Sequence, residues 1–351
     1  MCKPWSDKLR KIQPYVAGEQ SKNPNIIKLN ANENPYPPSP KVKQVLSNFN
    51  TDNLRKYPAS DASELKLALS KAYNINENQI FMGNGSDDVL ALCFQAFFCS
   101  DKPILFPDLT YSFYPVWCSL FKTPYKNIPL DENFRINPDD YKEQNGGVIL
   151  PNPNAPTGIY ENLDFIEKIL NNNTDSIVII DEAYIDFGGQ SVISLLDKYQ
   201  NLVIVQTMSK SRSLAGLRVG YAFASAELIS VLDAVKNSYN SYTMDSVTIS
   251  AAAASLADDE YFKDTCSKII NTRQKTIKAL ENLGFDVVPS MANFVLATHK
   301  SVKAITIFEQ LKKQDIFVRH FKIPRIDNYL RITIGTDDEM NKLFYALKNL
   351  L

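Results

Sequence analysis

Short apolar runs alternate with longer amphipathic stretches along most of this 351-residue chain. The apolar runs, each bounded by Gly, Pro, Asn or Asp, cover residues 79–82, 103–106, 147–150, 176–180, 202–205 and 219–224. Near-continuous apolar runs separated by helical stretches are typical of strands that are buried on both faces. The pattern therefore predicts an α/β fold whose mostly parallel sheet is covered by helices on both sides.

The pattern changes after about residue 255. It predicts a long helix at 260–283, strands at 286–288, 293–298, 316–319 and 329–334, and a helix at 302–313. A last helix is predicted to start at Thr336, with Glu339 completing a capping box. We interpret the region after residue 255 as a smaller α/β domain. Nearer the N-terminus, a second capping box is predicted from Asp61 and Glu64, before a helix at 65–73. The predicted domains are 31–255, and 1–30 together with 256–351.

Composition and charge narrow the function classes. The balance of 44% hydrophobic and 22% charged residues is that of a globular enzyme, and 38 basic against 39 acidic residues disfavours nucleic-acid binding. Two histidines, His299 and His320, exclude a three-His zinc site, and no metal is expected. The cysteines form no CxxC pair, and Cys93, Cys99 and Cys118 are predicted to be buried thiols. The chain starts without an apolar signal region and has no run of about 20 apolar residues, so a cytoplasmic location is expected.

Polar residues follow the predicted strands, where ligands collect in open α/β sheets. The first strand runs into a Gly-rich stretch, 83–88, which suits an anion site at a helix start or a tight turn capped by Ser86 or Asp87. The strand at 147–150 runs into 151–158, where Asn154 offers an amide in what could equally be an ordinary proline turn.

The next two strands end in residues with stronger chemistry. Asp181 closes a buried strand, where a carboxylate needs a cation such as a protonated ring nitrogen, unless it serves as a helix cap or in a salt bridge. Thr207, Ser209 and Arg218 surround Lys210, which could otherwise be merely solvated. Pyridoxal 5′-phosphate (PLP) requires three things together: a site that binds its phosphate, an acid that pairs with its ring nitrogen, and a lysine that can form an imine with it.

The segments 152–158, 181–184, 209–210 and 216–218 resemble the signature of fold type I PLP-dependent aminotransferases. Segments 29–35, 55–58, 181–187 and 330–336 are similar to those of the histidinol-phosphate aminotransferases, and the resemblance spans nearly the whole chain. It implies a large PLP-binding domain with a mostly parallel seven-stranded sheet, plus a smaller α/β domain. It also implies a homodimer that transfers the amino group of histidinol phosphate to 2-oxoglutarate, in histidine biosynthesis.

The resemblance assigns roles to individual residues. Lys210 is the residue that bonds to PLP and moves the proton, and Asp181 keeps the ring nitrogen protonated. Tyr184 and Asn154 hydrogen-bond the ring oxygen, although Ala155 stands where a second Asn is commoner. Tyr111 stacks on the ring. The remaining cofactor-binding residues of the chain hold the phosphate: Gly85, Ser86, Asp87, Thr207, Ser209 and Arg218. Tyr57 reaches this phosphate from the neighbouring subunit.

The substrate-binding residues implied by the resemblance are Tyr15, Asn32, Arg319 and Arg331. The last two are expected on adjacent antiparallel strands, with both guanidinium groups on one side of the cleft.

Three alternative functions stay open: a lyase resembling phosphothreonine decarboxylase, another small-substrate aminotransferase such as one for aromatic amino acids, and a PLP-sensing regulator without turnover. The regulator is disfavoured because the chain has no basic patch for DNA.

Overall fold

A computed structural model describes residues 5–15, 19, 21 and 23–351 of the chain. Residues 1–4, 16–18, 20 and 22, all from the N-terminal part of the predicted small domain, lie outside the described residues, and Cys2 is among them. In the part described, no helix combines the length and the apolar character needed to cross a membrane.

The strands and helices follow one another in the order that an α/β chain requires. The strands are β1 (Ile27–Lys28), β2 (Ile80–Gly83), β3 (Ile104–Pro107), β4 (Tyr125–Ile128), β5 (Gly147–Pro151), β6 (Val178–Asp181), β7 (Leu202–Thr207), β8 (Gly220–Ala224), β9 (Phe285–Val287), β10 (Phe294–His299), β11 (Ile316–Phe317), β12 (Arg319–His320) and β13 (Leu330–Thr333). The α-helices are α1 (Pro40–Ser47), α2 (Ser63–Tyr73), α3 (Ser86–Phe97), α4 (Tyr114–Phe121), α5 (Leu163–Asn172), α6 (Ala226–Tyr239), α7 (Ser246–Leu256), α8 (Asp259–Asn282), α9 (Ala304–Lys312) and α10 (Asp337–Leu350).

The larger sheet has seven strands in the order β2-β8-β7-β6-β5-β3-β4. Strand β8 runs antiparallel to β2 and β7, and the other neighbours pair in parallel, so the predicted mostly parallel sheet is confirmed. Each predicted apolar run forms a strand within a few residues of its predicted bounds. Strand β4 was not predicted because three of its four residues are exposed and it lies at the sheet edge.

Both faces of this sheet are buried. Side chains alternate between two apolar clusters along each strand: Ile179 and Val203 belong to the cluster on one face, and Ile180 and Ile204 to the cluster on the other. Helices α3, α4 and α6 contribute to the first cluster, and α2, α5 and α7 to the second. The continuous apolar runs of the sequence reflect this double coverage.

The smaller sheet is antiparallel, with the order β12-β13-β10-β9, and a third core unites it with α8, α9 and α10. Leu29, from the N-terminal segment, is 1% exposed within that core. The predicted strand 316–319 is two strands, because β11 pairs with β1 whereas β12 pairs with β13. The N-terminal segment therefore packs with the C-terminal part, while the proposed division at residue 255 stays a prediction.

One of the two predicted capping boxes is wrong. Helix α2 begins at Ser63 after Ala62, whose φ of 51° is left-handed, and Asp61 Oδ1 accepts from the Ser63 amide instead of from an N3 amide. Glu64 accepts a hydrogen bond from Ser250. Because the N-cap is Ala62 rather than Asp61, the helix start is displaced by one residue and the register that the box requires is lost.

The other capping box is present, since Thr336 and Glu339 bond each other's backbone amides at the start of α10.

Among the cysteines, Cys93 and Cys118 are buried as predicted, but Cys99 is exposed. Cys99 follows the C-terminal end of α3, where the chain turns towards solvent, so its apolar sequence neighbours do not enclose it.

Candidate active site

The predicted cofactor residues gather at the carboxyl-terminal edge of the larger sheet. Asp181 is the last residue of β6 and Thr207 the last of β7, two neighbouring parallel strands. Asn154 follows the end of β5, the strand on the other side of β6. Since parallel strands end at the same edge, side chains far apart in sequence lie around one site.

Asp181 is held as a buried carboxylate in this site. It is 5% exposed, Tyr114 Oη donates to its Oδ2 at 2.9 Å, and the Ala183 amide donates to its Oδ1 at 3.1 Å. Burial raises the pKa of Asp181 from 3.8 to about 6, since these two hydrogen bonds only partly offset the lost hydration. A cationic ring nitrogen would supply the missing counter-charge. Tyr114, 67 positions away, carried no sequence signal for this contact.

A close approach of backbone and guanidinium shapes the predicted phosphate cup. Gly85 has a φ of +90°, and a Cβ there would lie 2.6 Å from Arg218 Nη2. A Cβ on Gly220 would lie 2.2 Å from the Gly85 carbonyl carbon. The glycines thus allow Arg218 to reach the start of α3, where free N–H groups and the guanidinium can bind one anion.

The cap of α3 differs from the prediction. The N-cap is Gly85 rather than Ser86 or Asp87, since the helix already includes both of those residues. The loop before it is closed by the Asn84 amide, which donates to Asp88 Oδ2 at 2.8 Å. With no side-chain cap, the first N–H groups of α3 are left for a ligand.

Two buried hydroxyls and an acidic residue lie beside this helix start. Thr207 Oγ1 is 3.0 Å from Ser209 Oγ, and both side chains are nearly fully buried. Asp87 accepts from Tyr111 Oη at 2.8 Å and pairs with Arg218 at 3.3 Å. Burial, together with the Asp87 charge, raises the pKa of Tyr111, so its hydroxyl stays protonated.

Lys210 extends from the loop after β7 without a carboxylate partner among the residues the structure describes. Its Nζ lies 3.5 Å from the Ala31 carbonyl oxygen and 5.8 Å from the centre of the Tyr184 ring. Asn34 Nδ2 donates to the carbonyl oxygens of Lys210, at 3.0 Å, and of Ser211, at 3.1 Å. The amine is therefore free to react, while its backbone is fixed by a residue that the sequence did not single out.

Two predicted site residues, Asn32 and Asn154, make hydrogen bonds with other residues of the protein. Asn32 is 2% exposed, and its Nδ2 donates to Tyr184 Oη at 2.9 Å while Thr333 Oγ1 donates to its Oδ1. Asn154 Nδ2 donates to the Leu109 carbonyl oxygen at 3.0 Å. Asn32 thus orients Tyr184, and the predicted contacts of Asn32 with substrate and of Asn154 with the ring oxygen stay predictions.

Arg319 and Arg331 lie directly opposite each other on antiparallel strands β12 and β13, as the sequence predicted. Arg331 Nη2 donates to the Asn30 carbonyl oxygen at 3.0 Å, and Arg331 Nε is buried without a partner in the described part of the chain. Burial and the nearby Arg319 both lower the pKa of Arg331. Neither guanidinium pairs with a carboxylate among the described residues, so the two form an uncompensated positive site.

The two remaining predicted tyrosines occupy different positions. The Tyr15 ring stacks on Phe113 with 4.2 Å between ring centres, and Tyr15 is close enough to Arg331 to affect the pKa of that guanidinium. Tyr57 is 81% exposed and stacks on Tyr242 at 4.6 Å, so it projects to solvent. The structure therefore places Tyr15 at the site but leaves Tyr57 outside the site of its own chain.

Comparison with known proteins identifies the family. Residues 24–347 match the family described as aminotransferase class I and II. The chain belongs to this family. It is 54% identical to the histidinol-phosphate aminotransferase of Acinetobacter baylyi over 98% of this chain and 96% of that protein. It is therefore a PLP-dependent aminotransferase and a member of the histidinol-phosphate aminotransferase group, as the motifs indicated.

Solved structures agree with this assignment. The histidinol-phosphate aminotransferase of Sinorhizobium meliloti in complex with pyridoxal-5′-phosphate is 25% identical, with a TM-score of 0.82 over 92% of this chain and 90% of that one. The L-threonine-O-3-phosphate decarboxylase of Porphyromonas gingivalis, 23% identical, gives a TM-score of 0.78 over 92% of this chain and 98% of that one, and shares the fold alone. The described residues of the aminotransferase fit PLP, because a buried acid, an anion cup and an unpaired lysine lie at one sheet edge.

Proposed function

We propose that this aminotransferase transfers the amino group of histidinol phosphate to 2-oxoglutarate, giving imidazole acetol phosphate and glutamate in histidine biosynthesis. The observation that carries the proposal is the pair Arg319 and Arg331, which lie opposite each other on β12 and β13 and form no ion pair with a carboxylate among the described residues. Arg331 Nε is buried and has no partner among the described residues, which is costly unless a ligand accepts a hydrogen bond from it. A substrate phosphate in one half-reaction, and a carboxylate in the other, would satisfy it.

The net charge of the chain supports a local anion site. With a formal charge of −1, the protein as a whole exerts little attraction on an anionic substrate. The arginine pair therefore has to provide the binding. Tyr15, close to Arg331 and packed on Phe113, adds a hydroxyl donor at the same place.

Each described residue of the site has a chemical task in this proposal. Bound PLP supplies an electron sink for the charge that develops when the substrate carbon loses its proton. Lys210 Nζ would move that proton from the substrate carbon to the carbon of the cofactor that receives the amino group, since no carboxylate pairs with this amine among the described residues. Asp181 would stabilise the positive ring nitrogen of the cofactor, and Tyr184, oriented by Asn32, would donate to its ring oxygen.

We further propose that two copies of the chain form the working enzyme. Tyr57 projects into solvent and stacks on Tyr242, which is itself 48% exposed. Exposed aromatic clusters of this kind are typical of protein interfaces. A second copy would bury this surface and could bring Tyr57 to the partner's phosphate cup.

A cytoplasmic location completes the proposal. It is supported by the free thiols of Cys93, Cys99, Cys118 and Cys266, which a reducing compartment maintains. Substrates are small molecules, as expected for the family.

A spectral titration tests the function. We expect glutamate to convert the bound cofactor from its aldehyde to its amine form, and imidazole acetol phosphate to restore the aldehyde form while releasing histidinol phosphate. A lyase would instead release carbon dioxide from phosphothreonine without that conversion. Failure of glutamate to convert the cofactor, or faster turnover of aromatic amino acids than of histidinol phosphate, would contradict the proposal.

A further inference from the structure

The loop at residues 321–329 joins the two strands that carry Arg319 and Arg331. It leaves the smaller sheet at β12 and returns to it at β13, and hydrogen bonds hold its C-terminal end. His320 Nε2 lies 2.7 Å from the Asp327 carbonyl oxygen, and Asn328 Oδ1 accepts from the Ala304 amide at 3.0 Å. The loop is therefore a firm extension of the strands that carry the arginine pair.

The middle of the 321–329 loop packs against loops that follow β3 and β4 of the larger sheet. Arg325 Nη1 donates to Asp108 Oδ2 at 3.0 Å, and Arg325 also donates to the Asp131 carbonyl oxygen. The guanidinium lies 5.4 Å from the centre of the Phe134 ring. Ile326, the next residue, is fully buried in a cluster with residues of the larger sheet's loops. Arg325 makes these contacts with a φ of +75°, a left-handed conformation that a side-chain-bearing residue rarely adopts.

Asp108 is itself part of the cofactor side of the molecule. It directly follows β3, and its Oδ1 accepts from the Leu130 amide at 3.0 Å, which fixes the carboxylate. The next residue, Leu109, accepts from Asn154 Nδ2 at 3.0 Å. Tyr111, three positions after Asp108, donates to Asp87 in the phosphate cup. The ion pair of Arg325 with Asp108 thus connects the loop between Arg319 and Arg331 to the segment whose Tyr111 contacts the phosphate cup.

We propose that Arg325 is a positioning residue whose ion pair with Asp108 sets the distance between the Arg319–Arg331 pair and the cofactor, and so determines selectivity for a phosphorylated amine. This proposal rests on the proposed function. The selectivity follows because a substrate bound at its amine end by the cofactor and at its phosphate by the arginines has one length. Misplacement by about 1 Å can cost about 100-fold in such a geometry. Unphosphorylated histidinol, which has neither a phosphate nor a carboxylate, does not use the arginine pair and is insensitive to that distance.

The experiment compares holoenzyme variants R325A, D108N and R325A/D108N with histidinol phosphate and with unphosphorylated histidinol. We expect each single change to raise KM for histidinol phosphate about tenfold, with kcat changed less than about threefold and the cofactor spectrum unchanged. The ratio of the two kcat/KM values should fall about tenfold. The double variant should be no worse than either single one, because both remove the same interaction.

R135A is the matched control, since it removes a similar ion pair, Arg135 with Glu161 at 3.3 Å, that lies wholly on the larger sheet's side. It should leave the ratio unchanged. If R325A does not fold, R325K, which keeps the charge and the aliphatic stem, should lower the ratio about threefold.

Three results would overturn the proposal: a ratio within twofold of wild type in R325A and D108N, additive effects in the double variant, or an equal loss in R135A. A wild-type enzyme that does not convert histidinol phosphate would instead refute the proposed function. The positioning role would then be tested with glutamate, whose KM should rise about tenfold in R325A if its carboxylate uses the arginine pair and stay constant if the role is wrong.

Discussion

Replacing Asp181 by Asn should stabilise the cofactor-free protein while it impairs catalysis. Burial raises the pKa of Asp181 from 3.8 to about 6. At about 1.4 kcal/mol for each pKa unit, that difference corresponds to about 3 kcal/mol by which the buried charge destabilises the fold at neutral pH. Asparagine fills the same space without the charge.

The sign of the pH dependence follows from the raised pKa. Between pH 3.8 and about 6 the unfolded chain gives up the Asp181 proton before the folded chain does, so the folded state loses stability as pH rises through this window. The asparagine side chain of D181N does not titrate. The stability difference between D181N and wild type should therefore grow by about 1–2 kcal/mol from pH 5 to pH 8. In D181N the Tyr114 hydroxyl must accept a hydrogen bond from the new amide instead of donating one to the carboxylate. This change reduces the stability that D181N gains over wild type by about 1 kcal/mol at every pH.

Urea unfolding of the cofactor-free proteins, at equal concentration and at both pH values, measures this difference. Adding PLP should stabilise wild type more than D181N, since only the carboxylate gains a counter-charge, and turnover of D181N should fall by about 10³-fold or more. E182Q is the control: Glu182 is equally buried, its pKa is raised to about 7, and it bonds Ser191 and Gln206 instead of facing the site. PLP should stabilise E182Q as much as wild type. A pH-independent difference, or equal stabilisation of D181N by PLP, would refute the reasoning.

Three further outcomes are expected. Borohydride reduction and peptide mapping should place the cofactor on Lys210, and K210A should bind PLP without turnover, whereas a label on another lysine would exclude this assignment. R331K should weaken histidinol phosphate by about 1–3 kcal/mol and narrow its advantage over histidinol, because a lysine loses the forked geometry; an unchanged ratio of kcat/KM values would show that Arg331 does not bind the phosphate. Mixed Y57F and K210A subunits should regain activity through one intact site in each hybrid dimer, and no gain despite proven subunit exchange would contradict a shared site.

Local sequence patterns predicted the positions of candidate residues that lie at a strand end. Asp181 and Thr207 were found because a buried strand runs directly into each of them. The opposition of Arg319 and Arg331 could be predicted because each falls within an apolar-patterned strand of the same small sheet. In these cases the strand fixes the position and the residue type fixes the chemistry.

Residues that act through distant partners could not be found in this way. Asn34 bonds the Lys210 carbonyl from 176 positions away, and Arg325 meets Asp108 from 217 positions away. Neither contact leaves a periodicity or a spacing in the sequence. Both depend on how the two sheets are placed, which only the folded chain determines.

The pairing of β1 with β11 bears on the order in which the molecule forms during synthesis. The larger sheet is complete once β8, ending at Ala224, has been made, so the cofactor cup can form while the C-terminal part is still absent. The segment that carries Leu29 and Asn32 must wait, because the backbone amide of Asn32 bonds Thr333, 301 positions later. The growing chain therefore passes through a stage with a finished sheet and an unprotected N-terminal segment. A chain released early would expose Leu29 and would lack both arginines of the proposed substrate site.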